Sequence, residues 1–486
     1  MGAGPAGLTA SYELSKAGVT SIVLEEDEIV GGIARTVNYK GYRFDIGGHR
    51  FFTKVSVVEA LWHEILGDDF IKRPRLSRIF YKGTFFSYPL KPMNALFGLG
   101  LFETFRCLAS YGWARLTPIR PEKNFADWVS NRFGKRLFEI FFKTYTEKVW
   151  GISTTEIQAE WAAQRIKGLS LTTAIKNALF GERAKKKGEV VKTLIEEFLY
   201  PRFGPGMMWE RAHEKIEAAG SEVVFNSQVT KIRWADDAVT SVTAGEEEYQ
   251  GEDYVSSIAI RELVEALDPP PPAEILEAAR KLRYRDFLTV ALVVDAKDVF
   301  PDTWIYIHEP NVKLGRVQNF KNWSPEMVPD PSKTCLGLEY FCFEGDGLWT
   351  ASDEEMMELG KREVAQLGLA DEDKILDGAV VRIKKAYPIY DGNYSEALAK
   401  VREFLADLKN LQLTGRNGMH RYNNQDHSML TAMLAARNIL GESFDLWQVN
   451  VDQEYHEEGQ DVTLDDLRAL NSTQPTVPKR SVRSGS

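Results

Sequence analysis

Cysteine, metal-ligand spacings and long hydrophobic runs are all scarce in this chain of 486 residues. The three cysteines (Cys107, Cys335 and Cys342) follow no metal-binding pattern and cannot all pair, so we expect reduced, buried thiols, no metal site and a cytoplasmic location. No signal-peptide pattern is visible at the start. The longest apolar stretch, residues 93–102, is followed by Glu103 and Arg106, so we predict a buried or cleft-lining helix and no transmembrane segment.

The charge balance is acidic, with a formal net charge of −10. This argues against a nucleic-acid partner and favours a soluble protein with a small-molecule substrate. The chain is too long for one hydrophobic core, so we expect two intimately packed domains. The composition leaves the oligomeric state open, with a homo-oligomer among the alternatives.

The first glycines of the chain form a dinucleotide-binding fingerprint. Gly2, Gly4 and Gly7 give G-x-G-x-x-G, directly before a predicted helix over residues 8–18. Such glycines let a strand turn sharply into a helix whose N-terminus faces a pyrophosphate. A predicted strand at 21–24 ends at Glu25, where an acid binds a ribose hydroxyl. A chance glycine turn would lack this register, so we predict a bound dinucleotide.

The strand expected before this fingerprint is missing from the sequence. The central parallel strand of such a sheet should comprise about five mostly apolar residues ahead of Gly2. Omitting it would forfeit roughly 1.5–3 kcal/mol for each large side chain that it buried. We therefore expect the natural protein to begin upstream of Met1.

Two further glycine pairs follow the second strand. Gly31 and Gly32 precede Arg35, so the backbone can approach a phosphate or ribose closely while the arginine offsets phosphate charge. The second pair ends at Gly48, directly before His49. A lone histidine is usually a hydrogen-bonded structural residue, but these glycines favour a place beside a flat cofactor.

The pattern along the chain predicts an α/β fold in three portions. Residues 1–55, 200–260 and 376–445 form a discontinuous dinucleotide-binding domain, to which strands at 222–225 and 228–232 return. Residues 56–199 form a helical insert interrupted by a hairpin at 79–86, and residues 261–375 form a mixed β-sheet substrate domain. Residues 471–486, rich in Ser, Thr, Pro and Arg, are predicted to be a disordered tail.

Several strings together resemble one protein family. The fingerprint, the Gly31–Gly32 pair and a late Gly415 resemble the superfamily of FAD-dependent amine oxidases and protoporphyrinogen oxidases. Within that superfamily, Asp45–His49 resembles the Gly-Gly-His segment of UDP-galactopyranose mutases. Tyr145–Gly151 and Gly415–Tyr422, with Asp426 shortly after, resemble two further signatures of those mutases. The resemblance fades between residues 286 and 374.

This resemblance implies a Rossmann-like FAD-binding domain of the GR2 type, with FAD favoured over NAD. It also implies a reaction in which N5 of reduced flavin attacks the anomeric carbon of a nucleotide sugar and the pyranose recloses as a furanose, with His49 and Arg416 as catalytic residues. The implied cofactor-binding residues are Gly2, Gly4, Gly7, Glu25, Gly31, Gly32, Arg35, Gly48, His49, Val229, Gly415 and Asp426. The implied substrate-binding residues are Tyr145, Trp150, Arg165, Arg416, Arg421 and Tyr422.

The residue types are compatible with such a substrate. Arg416 can hold phosphate oxygens through two parallel hydrogen bonds, and a buried guanidinium after a strand end needs an anion. Trp150 can stack on a ring or simply pack in a helical core, and Tyr145 can donate a hydroxyl while its ring packs. Arg421 could serve the same diphosphate or pair with an acid.

Two other functions remain open from the sequence. An ordinary flavin oxidoreductase would take hydride from an amine, a porphyrinogen or an isoprenoid substrate. It is supported by the divergent sheet around residues 341–343 and by the apolar helix at 96–102, which could line an apolar pocket. A non-catalytic binding protein without flavin is the third alternative, but the full set of phosphate-facing glycines argues against it.

Overall fold

A computed structural model describes residues 1–88, 90, 92–159, 197–450 and 468. The helices in these ranges are α1 (Pro5–Lys16), α2 (Ser56–Leu66), α3 (Pro92–Leu99), α4 (Leu101–Leu116), α5 (Phe125–Phe133), α6 (Lys135–Phe138), α7 (Thr144–Trp150), α8 (Gly206–Ala218), α9 (Ile260–Glu265), α10 (Ala273–Lys281), α11 (Phe320–Trp323), α12 (Asp353–Gln366), α13 (Tyr394–Leu405) and α14 (Gln425–Ile439).

The strands show the mixed architecture that the sequence predicts. They are β1 (Ile22–Leu24), β2 (Thr36–Tyr39), β3 (Tyr42–Asp45), β4 (Phe70–Pro74), β5 (Ser77–Tyr81), β6 (Thr84–Ser87), β7 (Glu197–Pro201), β8 (Glu222–Val224), β9 (Val229–Ala235), β10 (Ala238–Ala244), β11 (Glu247–Tyr249), β12 (Tyr254–Ser256), β13 (Leu267–Asp268), β14 (Tyr284–Val294), β15 (Trp304–Ile307), β16 (Arg316–Asn319), β17 (Thr334–Cys342), β18 (Ile375–Pro388) and β19 (Leu411–Leu413).

The dinucleotide-binding portion is built around parallel pairs. β1 pairs with β8, and β12 pairs with β19. The first residues of the chain lie between the two pairs: the Gly2 amide donates to the Leu24 carbonyl at 2.7 Å, and the Met1 carbonyl accepts from the Ser257 amide at 3.1 Å. Helices α1, α8 and α14 pack here, and their apolar side chains belong to one core. The glycine fingerprint therefore opens directly onto the helix that the sequence predicts.

The predicted strand at 228–232 forms part of β9, which lies in a four-stranded sheet of its own with the order β11-β10-β9-β13. Its Ile232 packs in the same core as α1, and its Val229 lines the cavity described below. β9 turns at Asp236, whose φ is +55°, into the antiparallel strand β10. β9 therefore pairs with β10 and β13 and not with a strand of the sheet that contains β1.

A seven-stranded sheet forms the other large layer, with the order β18-β14-β17-β16-β15-β5-β6. All nine residues of β17 are buried, as are nearly all of β14, so these strands have the near-continuous apolar character of sheet interiors. The predicted hairpin at 79–86 is confirmed as β5 and β6, and it extends this sheet through parallel pairing of β5 with β15. Cys335 and Cys342 in β17, and Cys107 in α4, are buried and unpaired, as expected.

The helices around residues 93–102 differ from the prediction. We expected a buried or cleft-lining helix, but Phe97, Leu101 and Phe102 are 74%, 81% and 77% exposed. Helix α4 turns its Cys107 side toward α5 and α6, which leaves the opposite side uncovered. Apolar content alone cannot fix which side of a helix finds a neighbour. None of the described helices combines the length and apolar content needed to cross a bilayer.

Candidate active site

A cavity of about 710 Å³ lies between the dinucleotide-binding portion and the seven-stranded sheet. The residues that line it include Glu25, Val229, Gly2, Gly4, Gly32, Arg35, His49, Gly415 and Arg416. The cavity therefore joins the first glycine segment to the late one. Eight of the predicted cofactor residues, His49 among them, meet there with Arg416, although they come from distant parts of the chain.

Two helix N-termini face this cavity. Gly4 caps α1 without a side-chain hydrogen bond, and Gly4, Pro5 and Ala6 line the cavity. Asn424 caps α14, whose Gln425 and Ser428 line it further along. Unpaired amides and the helix dipole make both ends favourable to negative charge. The cavity thus offers two separate places for an anionic group.

Glycine is required at two fingerprint positions for different reasons. Gly2 has φ +95°, and a Cβ there would lie 2.4 Å from the Ser257 hydroxyl oxygen. A Cβ on Gly7 would lie 1.8 Å from the Gly2 carbonyl oxygen. Gly2 therefore permits the turn beside the cavity, whereas Gly7 permits close packing of α1 on the chain that precedes it.

Glu25 links the glycine fingerprint to the end of β1 through hydrogen bonds. Its carboxylate accepts from the Ala3 amide at 2.5 Å and from the Asp27 amide at 3.0 Å. Burial raises the pKa of Glu25 above its ordinary value. Arg35 also bonds in this region, through an ion pair with Asp27, and its Nε is buried without a hydrogen-bond partner among the described residues.

His49 is neutral in its half-buried position beside the cavity. Its Nε2 lies 2.8 Å from the Ile46 carbonyl, and because a carbonyl only accepts, Nε2 carries the proton. Burial lowers the pKa of His49 to about 4, and the positive charges of Arg416 and Arg316 lower it further. The ring is therefore held as a neutral group in a positive environment.

Asp45 anchors the segment that leads to His49. Its carboxyl is fully buried and accepts from the hydroxyls of Thr36, at 2.9 Å, and Tyr200. Burial raises the pKa of Asp45 to about 7. Thr36 in turn accepts from the Gly206 amide at 3.0 Å, so Asp45 connects β2, β3 and the start of α8.

Arg416 is a cation without a carboxylate partner among the residues that the structure describes. Its Nε donates to the Asn423 carbonyl and one Nη donates to the Ala386 carbonyl, both at 2.9 Å. The guanidinium also lies 4.8 Å from the ring centroid of Tyr422 and 5.3 Å from that of Tyr387. Neutral carbonyls and rings orient the group but leave its charge for an anion in the cavity.

Aromatic side chains gather next to Arg416. Tyr387 stacks on Tyr422 with ring centroids 5.6 Å apart and an interplanar angle of 13°. Trp150, at the end of α7, lies 6.1 Å from both rings. Predicted substrate residues from two distant strings, Trp150 and Tyr422, are thus brought into one cluster with Arg416.

Tyr145 belongs to a second aromatic group. Its ring stacks on His308 at 4.8 Å and 7°, and it meets Tyr306 edge-on at 5.5 Å. Burial raises the pKa of the Tyr145 hydroxyl well above its ordinary value, so the phenol stays protonated. Lys148, one turn further along α7, donates to the carbonyls of Glu309 at 2.5 Å and Leu314 at 3.1 Å.

An ion pair in the sheet was missed by sequence reasoning. Arg316 on β16 and Glu339 on β17 are direct cross-strand neighbours, with Nη2 and Oε2 2.5 Å apart. Burial alone would lower the pKa of Arg316, but facing Glu339 raises it overall. The charge of Arg316 also acts on Tyr145, Tyr387 and His49, so this pair lies between the two aromatic groups. A glutamate inside the apolar run of residues 335–341 was the available signal.

Comparison with known proteins identifies the family of this chain. The family of flavin-containing amine oxidoreductases matches over residues 5–440. The chain belongs to this family. Among solved structures, reduced UDP-galactopyranose mutase is similar with a TM-score of 0.78 and 22% identity, covering 93% of this chain and 96% of that one.

Two other members of the fold are also similar. A protein from Exiguobacterium sp. 255-15, provisionally named a protoporphyrinogen oxidase, has a TM-score of 0.68 and 17% identity, with 90% and 97% of the two chains covered. Putrescine oxidase, in a structure with bound putrescine, has a TM-score of 0.60 and 16% identity, with 91% and 98% covered. At these low sequence identities, the similarity to the solved structures shows a shared fold and no more.

As a flavin-containing amine oxidoreductase, the chain is an FAD-dependent enzyme. The cavity residues fit this cofactor. Both side-chain polar atoms of Gln425 are buried without a partner among the described residues, although Gln425 lines the cavity. Buried amides normally find partners, so an unpartnered amide at a cavity wall suits a ligand with polar ring edges. Gln425 was not among the predicted residues.

The structure places some predicted residues of this flavoenzyme away from the cavity. Arg421 donates to the carbonyls of Trp447 at 2.7 Å and Val449 at 2.8 Å, so we correct its assignment to a substrate diphosphate: its donors hold the chain after α14. Asp426 is buried in the first turn of α14 beside His427, while Gln425 and Ser428 face the cavity. Gly7, Gly31 and Gly48 serve close backbone packing. Arg165 lies outside the described residues.

Proposed function

We propose that this FAD-dependent enzyme acts on a nucleotide sugar, in a reaction of the UDP-galactopyranose mutase type. The observation that carries the proposal is Arg416, a guanidinium that lines the cavity without a carboxylate partner among the described residues and rests on Tyr387 and Tyr422. A nucleotide sugar presents a diphosphate and flat rings. An arginine framed by aromatic rings matches both features.

Each group of residues has a role in this proposal. Arg416 binds and orients the diphosphate, and the buried Trp150 packs on Tyr387 and Tyr422 and fixes the rings that frame this arginine. Tyr145, held by His308 and protonated, can donate a hydrogen bond to a sugar oxygen. His49 stays neutral and packs close to the cavity, where it positions the cofactor ring without carrying a charge.

The residues that line the cavity, among them Gly2, Gly4 and Gln425, would hold FAD, which in its reduced form would supply N5 as a nucleophile for the anomeric carbon. The chain contributes orientation of the two reactants and stabilisation of the leaving diphosphate. A guanidinium already fixed by two carbonyls needs little reorganisation as negative charge builds up on the leaving group.

The principal alternative is hydride transfer from an amine, a porphyrinogen or an isoprenoid substrate. Arg416 lines the cavity without a carboxylate partner among the described residues, and such a cation disfavours a cationic amine beside it. An apolar substrate has more support, because Phe287 and Phe341 pack 5.4 Å apart beside Tyr387. The segment at 96–102 does not support that alternative, because its side chains Phe97 and Phe102 are exposed to solvent and cannot line an internal pocket.

Binding to the oxidised and reduced protein tests the proposal. UDP-galactopyranose is titrated into FAD-loaded protein before and after dithionite reduction, with putrescine and a porphyrinogen as comparison ligands. We expect saturable binding of the nucleotide sugar to the reduced enzyme and formation of a furanose product. Oxygen consumption with one comparison substrate, together with no binding of the nucleotide sugar, would contradict the proposal.

A further inference from the structure

Helix α4 presents its apolar side to solvent. Leu101, Phe102, Phe105, Trp113 and Leu116 are 81%, 77%, 71%, 69% and 80% exposed. Single exposed apolar residues are ordinary in soluble proteins, but a contiguous group of large ones marks an interaction surface. Phe97 on α3, 74% exposed, extends the group. We call α4 and Phe97 together the apolar face.

Helix α4 is amphipathic, but it is the apolar side of the helix that faces solvent. With 3.6 residues per turn, Leu101, Phe105, Leu108 and Leu116 fall on one stripe, and Phe102 and Trp113 lie beside it. Exposed Arg106 and Arg115 fall at the two edges of this stripe. Apolar residues in the centre, aromatic rings beside them and arginines at the edges are typical of helices that lie in a membrane interface.

The surrounding charge is strongly positive although the protein is acidic. Residues 72–136 contain 13 lysines and arginines against three aspartates and glutamates, a net charge of +10 in a chain whose total is −10. Exposed cations near α4 include Lys82, whose charge acts on Glu103, and Lys135 at the start of the neighbouring α6. The segment that carries the apolar face is therefore basic, although the chain as a whole is acidic.

We propose that the apolar face docks this enzyme onto the surface of an anionic lipid bilayer, with α4 parallel to the membrane plane. Exposed leucine, phenylalanine and tryptophan side chains enter the headgroup region while the basic residues meet anionic headgroups. This proposal does not depend on the identity of the substrate.

A second copy of the chain fits the same surface poorly. A two-fold contact brings the same patch of both subunits together, so the exposed cations on and near α4, Arg106, Arg115, Lys82 and Lys135, would face a second set of cations. A nucleic acid would match the charge but would leave the leucines and phenylalanines exposed to water. An anionic bilayer matches both the charge and the apolar residues.

The apolar face is connected to the aromatic groups of the site through a short series of neighbouring residues. The hairpin of β5 and β6 leads into α3, and the ring of Tyr88 after this hairpin lies 4.9 Å from that of Tyr306. Tyr306 in turn contacts Tyr145. Docking would hold this end of the enzyme against the bilayer.

Flotation of the FAD-loaded full chain with lipid vesicles tests the proposal. We expect binding to vesicles of phosphatidylcholine mixed with phosphatidylglycerol, weak binding to phosphatidylcholine alone, and release from the anionic vesicles as sodium chloride is raised. The double substitution Phe105→Glu and Trp113→Glu should lower the partition coefficient at least about tenfold.

The matched control is Leu376→Glu with Leu440→Glu, two apolar residues that are 54% and 48% exposed outside the apolar face. This pair should bind vesicles like the unchanged protein, and retained flavin absorbance shows that both variants are folded. Failure of the unchanged protein to bind anionic vesicles would overturn the proposal. A sedimenting dimer that the α4 pair converts to a monomer, without vesicle binding, would assign the face to a contact between two copies.

Discussion

The Nζ atom of Lys148 lies 2.5 Å from the carbonyl oxygen of Glu309, and the same amine also donates to Leu314. Lys148 thereby ties α7 to the loop between β15 and β16, which begins with His308, the residue on which Tyr145 stacks. Burial lowers the pKa of Lys148 to about 8. The lysine of the Tyr145–Gly151 string is therefore a positioning residue for the aromatic group.

Lys148→Met should loosen this loop. The substitution keeps much of the side-chain volume but leaves buried carbonyls without their donor, and we expect unfolding free energy to fall by about 1–3 kcal/mol. Nucleotide-sugar binding should weaken while FAD stays bound. Denaturant unfolding followed by flavin fluorescence measures the change. Lys143→Met, at an exposed position before the same helix, should stay within about 0.5 kcal/mol of the unchanged protein. Equal effects at both positions would argue against this role.

Arg416→Ala should separate substrate binding from cofactor binding. Loss of a charge-assisted contact to phosphate costs about 1.5–3 kcal/mol, so the dissociation constant of UDP should rise by roughly 10- to 150-fold. Calorimetric titration of the FAD-loaded variant measures this. Arg416→Lys keeps the charge but loses the fork and should fall in between. If FAD is lost from the alanine variant, Arg416 serves the cofactor instead.

Gln425→Leu should weaken FAD binding itself. The buried amide of Gln425 has no protein partner among the described residues, so we expect FAD to supply one. Removal should cost about 1–3 kcal/mol, or roughly 5- to 150-fold in the FAD dissociation constant. Fluorescence titration of apoprotein with FAD gives the value. Gln366→Leu, at the exposed end of α12, is the matched control. Unchanged FAD affinity in Gln425→Leu would show that the amide does not face the cofactor.

Asp45 should make stability depend on pH. Burial raises its pKa from 3.8 to about 7 in the folded protein, so the folded state binds more protons than the unfolded state between these values. The stabilisation from this group is complete below pH 4 and is lost as the pH rises through 7, in total about 4 kcal/mol. Asp45→Asn mimics the protonated carboxyl and should be more stable than the unchanged protein at pH 8.

Thermal unfolding of both proteins from pH 5 to pH 8 measures this difference. The gap between Asp45→Asn and the unchanged protein should widen as the pH rises. A gap that stays constant over this range would mean that Asp45 is ionised throughout, with its hydroxyl partners Thr36 and Tyr200 stabilising the carboxylate.

Local signals in the sequence were sufficient for the cofactor side of the site. The fingerprint fixes α1 and the Glu25 carboxylate because turn, helix and strand are consecutive in the chain. β15 has the predicted limits, 304–307, since a short apolar run between turns leaves little freedom. The strings that contain Trp150 and Arg416 lie beside one another in the structure, since both residues contact Tyr422, and their role in substrate binding stays a prediction.

Features that depend on pairing across the chain were not predictable in this way. Arg316 and Glu339 are 23 residues apart in the sequence. They become neighbours only because of the register in which the antiparallel strands β16 and β17 pair. His308 reaches Tyr145 because Lys148 holds its loop. The exposed side of α4 is the side that α5 and α6 do not cover. An apolar run in the sequence does not show which side of a helix its neighbours will cover. Such relationships are decided by tertiary contacts.

The electron balance of turnover tests the central claim most directly. Protein reduced once with dithionite under nitrogen is given an excess of UDP-galactopyranose, and product and flavin absorbance are followed together. A nucleotide-sugar isomerisation consumes no net electrons, so we predict many molecules of furanose product per flavin while the flavin stays reduced. No furanose product, together with oxidised flavin that is reduced by an amine, porphyrinogen or isoprenoid substrate once per turnover, would contradict the account.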